Sequence, residues 1–139
     1  MTANMGGKES EDNMSFQLAK MDVGLTPPIE YHPMKSGETA VLGEALTLTA
    51  GALTKCAATS KPGYIAVGPS KDGVAPVIKV QDYMAFETTL AAAGTDLTVG
   101  TAVTLHTDGL QVTATTASGV ATIIRMDGKA IGDTVQVRF

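Results

Sequence analysis

Any reaction centre in this 139-residue chain would have to draw on two histidines, His32 and His106, one cysteine, Cys56, and three Asp-Gly steps at Asp72, Asp108 and Asp127. Metal binding needs His or Cys ligands at short, repeated spacings, and neither histidine has a second His or Cys at such a spacing. His32 stands between Tyr31 and Pro33. His106 closes a strand-like run ahead of Asp108-Gly109, where a turn with a local hydrogen bond accounts for it. A calcium site wants six or more oxygens, and each Asp-Gly step supplies a lone carboxylate whose place is explained by turn geometry. Nucleophilic catalysis needs a Ser or Cys beside a base, and no Gly-x-Ser-x-Gly elbow is present. Cys56 lies in the strand-like run Leu53-Thr-Lys-Cys-Ala-Ala58, where Lys55 points to the opposite face. It reads as a small buried residue rather than an activated thiol. The acidic residues Glu9, Glu11 and Asp12 belong to a polar, Gly-containing stretch that offers no low-dielectric site to raise a carboxyl pKa. The run from Gly100 lacks the Gly-Lys-Ser/Thr and the following helix of a phosphate loop. The residue types therefore predict no enzyme, no metal and no cofactor.

Composition narrows the partners. Charged residues make up 17% with a net charge of −4, and no Lys/Arg cluster provides a nucleic-acid footprint. No apolar run approaches the ~18 residues of a membrane-spanning helix. Residues 1–10 also lack the apolar stretch of a signal peptide, so synthesis in the cytoplasm is expected. Apolar residues reach 44% but aromatics only 4%, without Trp. The core must come from Val, Leu, Ile and Ala, with Thr on the surface, a composition that favours extended structure.

The elements follow from a repeat. Gly43-Glu-Ala-Leu-Thr-Leu48 recurs as Gly100-Thr-Ala-Val-Thr-Leu105, with Leu53 on Leu110, Ala57 on Ala114 and Thr59 on Thr116. Tyr64-Ile-Ala-Val-Gly68 corresponds roughly to Val120-Ala-Thr-Ile-Ile124, and Val77-Ile-Lys-Val80 to Thr134-Val-Gln-Val137. Strands are predicted over 45–48, 53–57, 64–68 and 74–80, and again over 102–106, 110–113, 120–126 and 134–138. Asp-Gly and Pro-Gly turns separate them. Pro76 predicts an edge strand or a bulge. Between the repeats, 83–93 loses alternation and allows one short helix. Residues 1–40 differ: they hold five of the seven Met and little alternation. Residues 1–12 read as disordered, and 14–23 as either a strand or two helical turns. Three prolines within 26–33 impose an extended arm whose Ile29, Tyr31 and Met34 have no burial of their own. The division is thus an arm over 1–40 and a β domain over 41–139, with repeats at about 41–80 and 98–139.

The series from Gly43 to Lys55, then Tyr64-Ile-Ala-Val-Gly68, then Val77-Ile-Lys-Val80, preceded by Tyr31-His32-Pro33, resembles the head decoration (capsid cement) proteins of tailed bacteriophages, the lambda head decoration protein among them. The likeness covers roughly residues 30–90 and, more loosely, the second repeat. It implies an all-β, barrel-like or tulip-like body with an extended N-terminal arm and no catalytic activity. It further implies a place on the outer surface of the expanded capsid, commonly as a homotrimer, with the major capsid protein as partner. The arm residues expected to dock are Phe16, Leu18, Ile29, Tyr31, His32, Pro33 and Met34. This chain departs from the lambda protein in its extra residues 1–25 and its fuller second repeat. A tail, baseplate or fibre module uses the same strand chemistry and is the alternative. So is a carbohydrate-binding adhesive module, for which the body offers only Tyr64, Tyr83, Phe86 and Phe139 as stacking platforms.

Overall fold

The computed structural model describes residues 15–21 and 26–139. In chain order the strands are β1 (Gln17–Met21), β2 (Glu30–Pro33), β3 (Ala45–Thr49), β4 (Ala52–Lys55), β5 (Tyr64–Ala66), β6 (Val74–Lys79), β7 (Met84–Thr89), β8 (Ala102–Val103), β9 (Ala121–Met126) and β10 (Thr134–Arg138). They form two five-stranded sheets whose ladders are antiparallel, ordered β1-β7-β10-β9-β8 and β2-β6-β5-β3-β4. The described residues contain no helix. The fold is all-β, as the alternation predicts, but neither sheet closes into a barrel.

The larger core lies between the sheets. Met84, Phe86, Val103, Ile123, Val135 and Val137 from the first sheet meet Ala45, Ile65 and Ile78 from the second. The second sheet also curls around a smaller core of its own, made of Met34, Ala40, Leu46, Leu53, Ala66, Ala75 and Val77. Because successive side chains point to opposite faces, Ala45 and Leu46 serve different cores, as do Ile65 and Ala66, and Val77 and Ile78. One parallel bridge, Met34 to Leu53, brings the two ends of the curled sheet together at a single point. A continuous ladder there would be needed to close a barrel.

The repeat is a duplication of hydrogen bonding as well as of sequence. The Gly43 N–H donates to the Ala66 carbonyl and the Gly100 N–H to the Ile123 carbonyl, both at 2.7 Å. Both glycines need φ values closed to most side chains, +81° and +98°. The correspondence also extends upstream of residue 41. Met34 donates to Gly73 as Leu90 does to Asp133, and Lys35 to Leu53 as Ala91 does to Val112. β2 is therefore the counterpart of β7. Each is the strand beside the last strand of its unit, β6 and β10 respectively.

Several elements differ from the sequence reading. Residues 83–93 contain strand β7 (Met84–Thr89) and no helix: Met84 and Phe86 alternate into the core, and Thr88 donates its hydroxyl to the Leu110 carbonyl at 2.6 Å. The predicted strand at 110–113 is reduced to bridges from Val112 to Leu90 and Leu105, and 102–106 shortens to β8. Of the two readings of 14–23, the strand is the one found, as β1. Pro76 lies inside the sheet, between β2 and β5, rather than on an edge. Its carbonyl accepts from Val67, one residue past the end of β5. Its missing N–H faces that same side, so the ladder to β2 loses nothing. The disorder predicted for 1–12 falls outside the described residues.

Candidate docking face

The seven predicted docking residues separate into distinct environments. Phe16 is 2% exposed and sits in the larger core, its ring 5.5 Å from that of Phe139 in an edge-on arrangement. Met34 is buried in the smaller core, and Leu18 is half-buried against the larger one. His32 is half-buried; its Nε2 lies 2.8 Å from Glu30 Oε1, and its ring meets Tyr64 edge-on at 5.3 Å. Ile29 and Tyr31 stand 53% and 68% exposed, and Pro33 is exposed beside them.

These last three share a surface. In the antiparallel register Tyr31 lies opposite Pro76 and Pro33 opposite Val74, so the four side chains emerge on one face. The hydrogen bond from Val67 to Pro76 brings Val67 alongside. This is the same face of the curled sheet that carries Ile78 into the larger core, continued past the point where the first sheet covers it. Ile29, Tyr31, Pro33, Val67, Val74 and Pro76 thus form a rigid apolar strip backed by three strands. Uncovered apolar surface of this kind marks an interaction site more often than a scattered exposed Val or Leu does. Val67, Val74 and Pro76 were not among the docking residues expected from the sequence. Their alternation with Ala66, Ala75 and Val77 shows which residues share a face, but only the placement of the first sheet decides where that face is left bare.

Polar chemistry around the strip serves the fold. Glu30 and His32 turn to the inner face of the curl with Val77 and Ala75, closing its mouth against Tyr64. Burial raises the pKa of the Tyr64 phenol, and the Glu30 carboxylate adds to the shift. Glu38 accepts hydrogen bonds from the Thr54 hydroxyl and the Lys55 N–H, which hold its carboxyl below the usual range. The Cys56 thiol is buried, donates to the Ser60 carbonyl at 3.1 Å, and is pushed up to about 11 by desolvation. The thiolate is the reactive form, and desolvation disfavours it at neutral pH. At the other histidine, the Leu110 N–H donates to Asp108 Oδ1 at 2.8 Å and the Gly109 N–H to the His106 carbonyl, a turn whose Gly109 carbonyl in turn accepts from the Ala45 N–H. Among the described residues no group of three His, Cys, Asp or Glu side chains is placed to hold a metal ion.

No known protein family and no curated protein matches the chain. Its fold, however, is similar to a solved structure, the N base of the head fibre gp8.5 of bacteriophage phi29. The match has a TM-score of 0.54 at 13% identity, covering 81% of this chain and 94% of that one. At this identity the likeness is one of fold alone.

Proposed function

We propose that the chain is a non-enzymatic structural protein of a phage virion. It binds the outer surface of the expanded capsid and stabilises it, docking on the major capsid protein through Ile29, Tyr31 and Pro33 together with Val67, Val74 and Pro76. The observation that carries this reading is the bare apolar strip on a body whose fold is similar to that of a head-fibre base. A Thr-rich body in which no group of three His, Cys, Asp or Glu side chains among the described residues is placed to hold a metal suits a protein that works by covering a surface. A homotrimer would present three linked strips to the lattice, and linkage of that kind raises overall affinity by avidity. The homotrimer implied by the sequence resemblance belongs to the same reading. Likeness to the base of a fibre also favours a version in which the body is the shell-bound foot of a longer appendage.

The docking set is narrower than the sequence suggested. Phe16 and Met34 are packed inside the body and would have to leave its cores to touch a partner, at a cost of about 2–5 kcal/mol each. Ile29, Tyr31 and Pro33 dock without rearrangement. The test is co-sedimentation of the purified protein with expanded, empty heads of its own phage, with unexpanded proheads alongside. Pelleting with expanded heads alone is the expected result. Failure to pellet with either shell sinks the proposal.

A further inference from the structure

We propose that Asp72-Gly73 is a modification site, where the chain closes spontaneously to a succinimide and reopens in part as isoaspartate. The electrophile is the Asp72 carboxyl in its acid form, and the nucleophile is the Gly73 backbone nitrogen. A bond forms between that nitrogen and Cγ, and the carboxyl hydroxyl leaves with the amide proton as one water. Water then adds to one of the two imide carbonyls. Addition at the main-chain carbonyl leaves the backbone running through Cγ and lengthens it by one methylene. No electrons are exchanged, and no co-reactant beyond water is needed. Glycine on the C-terminal side favours the closure, because no Cβ obstructs the approach of its nitrogen. The chain has three such Asp-Gly steps, at Asp72, Asp108 and Asp127, and no Asn-Gly.

The structure separates the three. Asp72 and Gly73 form the exposed tip of a two-residue hairpin, with φ values of +54° and +77°. Hydrogen bonds in both directions between Lys71 and Val74, at 2.8 and 3.1 Å, close it. Among the described residues the Asp72 carboxyl and the Gly73 N–H have no hydrogen-bond partner, and a side chain added at Gly73 would meet nothing within 4 Å. At Asp108, Oδ1 accepts from the Leu110 N–H at 2.8 Å, and the buried Gly109 donates its N–H to the His106 carbonyl at 3.0 Å. At Asp127, Oδ1 accepts from Arg125 Nε at 3.1 Å. The Asp133 carboxylate also lies against Gly128, where it opposes the negative charge that builds on an attacking nitrogen. Asp72-Gly73 is thus the step at which carboxyl and amide are both free. Its position gives the modification a consequence. The Gly73 carbonyl accepts from the Met34 N–H at 2.8 Å, and Val74, next in the chain, belongs to the apolar strip. An extra methylene in a two-residue loop cannot keep the Lys71–Val74 and Met34–Gly73 bonds in register together, so Pro33 and Val74 shift against each other. Isoaspartate at 72 therefore weakens docking. That consequence rests on the docking reading, whereas the chemistry of the step does not.

The test is ageing of the purified full chain at physiological temperature, in mildly acidic and then neutral buffer, followed by peptide mapping. Succinimide is read as the loss of one water, and isoaspartate by isoaspartyl methyltransferase labelling. At least about tenfold more product is expected at Asp72 than at Asp108 or Asp127, each of which must first give up a hydrogen bond. No product at Asp72, or as much at either of the other steps, overturns the inference. The aged protein is then pelleted with expanded empty heads. Chains modified at residue 72 should be depleted about tenfold in the pellet relative to the supernatant. Asp72→Gly suits the backbone of the tip and lacks the electrophile, so its retention should survive ageing. Equal partition of modified and unmodified chains overturns the effect on docking. If even the fresh wild-type chain does not pellet, the docking reading fails, and the mapping alone decides the modification site.

Discussion

Glu44 is the residue whose chemistry is most at odds with its place. It is buried where the loop before β3 meets the turn at Gly109, with the Gly109 backbone against its side chain and the Val41 N–H donating to Oε1 at 3.1 Å. Desolvation raises its pKa above the ordinary 4.5, the Val41 hydrogen bond and the Lys55 ammonium oppose the shift, and Glu38 and Asp108 add to it. A carboxyl whose pKa is raised by folding favours the folded state fully below its unfolded pKa, and that contribution is lost as pH rises through the folded pKa. At neutral pH Glu44 therefore holds a buried charge at a cost to stability. Glu44→Gln keeps the acceptor for Val41 and removes the charge. Its melting temperature should exceed that of the wild type at pH 7, with the two converging below about pH 4.5; an equal or lower value at pH 7 would contradict a net cost of the buried charge. None of this was legible in the sequence, where Glu44 is one polar position in a strand-like repeat. Its burial depends on Gly109, 65 residues away, and on a glycine turn whose other function, tight reversal, explains it fully on its own.

At the scale of the element, β1 and β2 carry the main lesson. The sequence pattern of 1–40, rich in Met and interrupted by prolines, separates it from the repeats and reads as an arm. Its described strands are instead laid along the edges of both sheets. β1 borders β7, anchored by Phe16 in the larger core and by the Phe16 N–H bond to the Gly43 carbonyl. Short edge strands give little alternation to read, and a single aromatic anchor looks the same whether it faces a partner or its own core. The repeats were legible because each unit alternates over several strands; the pairing that joins β2 and β7 to them was not, because the two strands share no sequence pattern. If β1 belongs to the body, Phe16→Ala should destabilise the isolated protein by about 3–5 kcal/mol in denaturant titration. Tyr31→Ala should fall within about 0.5 kcal/mol of wild type, as exposed positions do. Equal, negligible effects from both would mean that β1 contributes nothing to the stability of the free body.

At the scale of the whole molecule, a duplicated unit supplies two sheets, one core between them, and a second core inside the curl of one sheet. On the outer face of the curled sheet, the residues left uncovered by the other sheet are Ile29, Tyr31, Pro33, Val67, Val74 and, half-buried, Pro76. All-β architecture and the duplication were readable from periodicity. The barrel was not, because closure depends on whether edge strands meet along their length, and here Met34 and Leu53 meet at one point only. The central claim is that this strip holds the protein on an expanded shell. The most direct test is quantitative co-sedimentation with expanded empty heads of the cognate phage, comparing the wild type with the combined Ile29→Asp, Tyr31→Asp and Val74→Asp variant. Carboxylates on the strip leave both cores untouched, so the variant should keep its fold while losing about a hundredfold or more in retention, as expected when charge is forced into an apolar contact. Retention of the folded variant at the wild-type level would contradict the account.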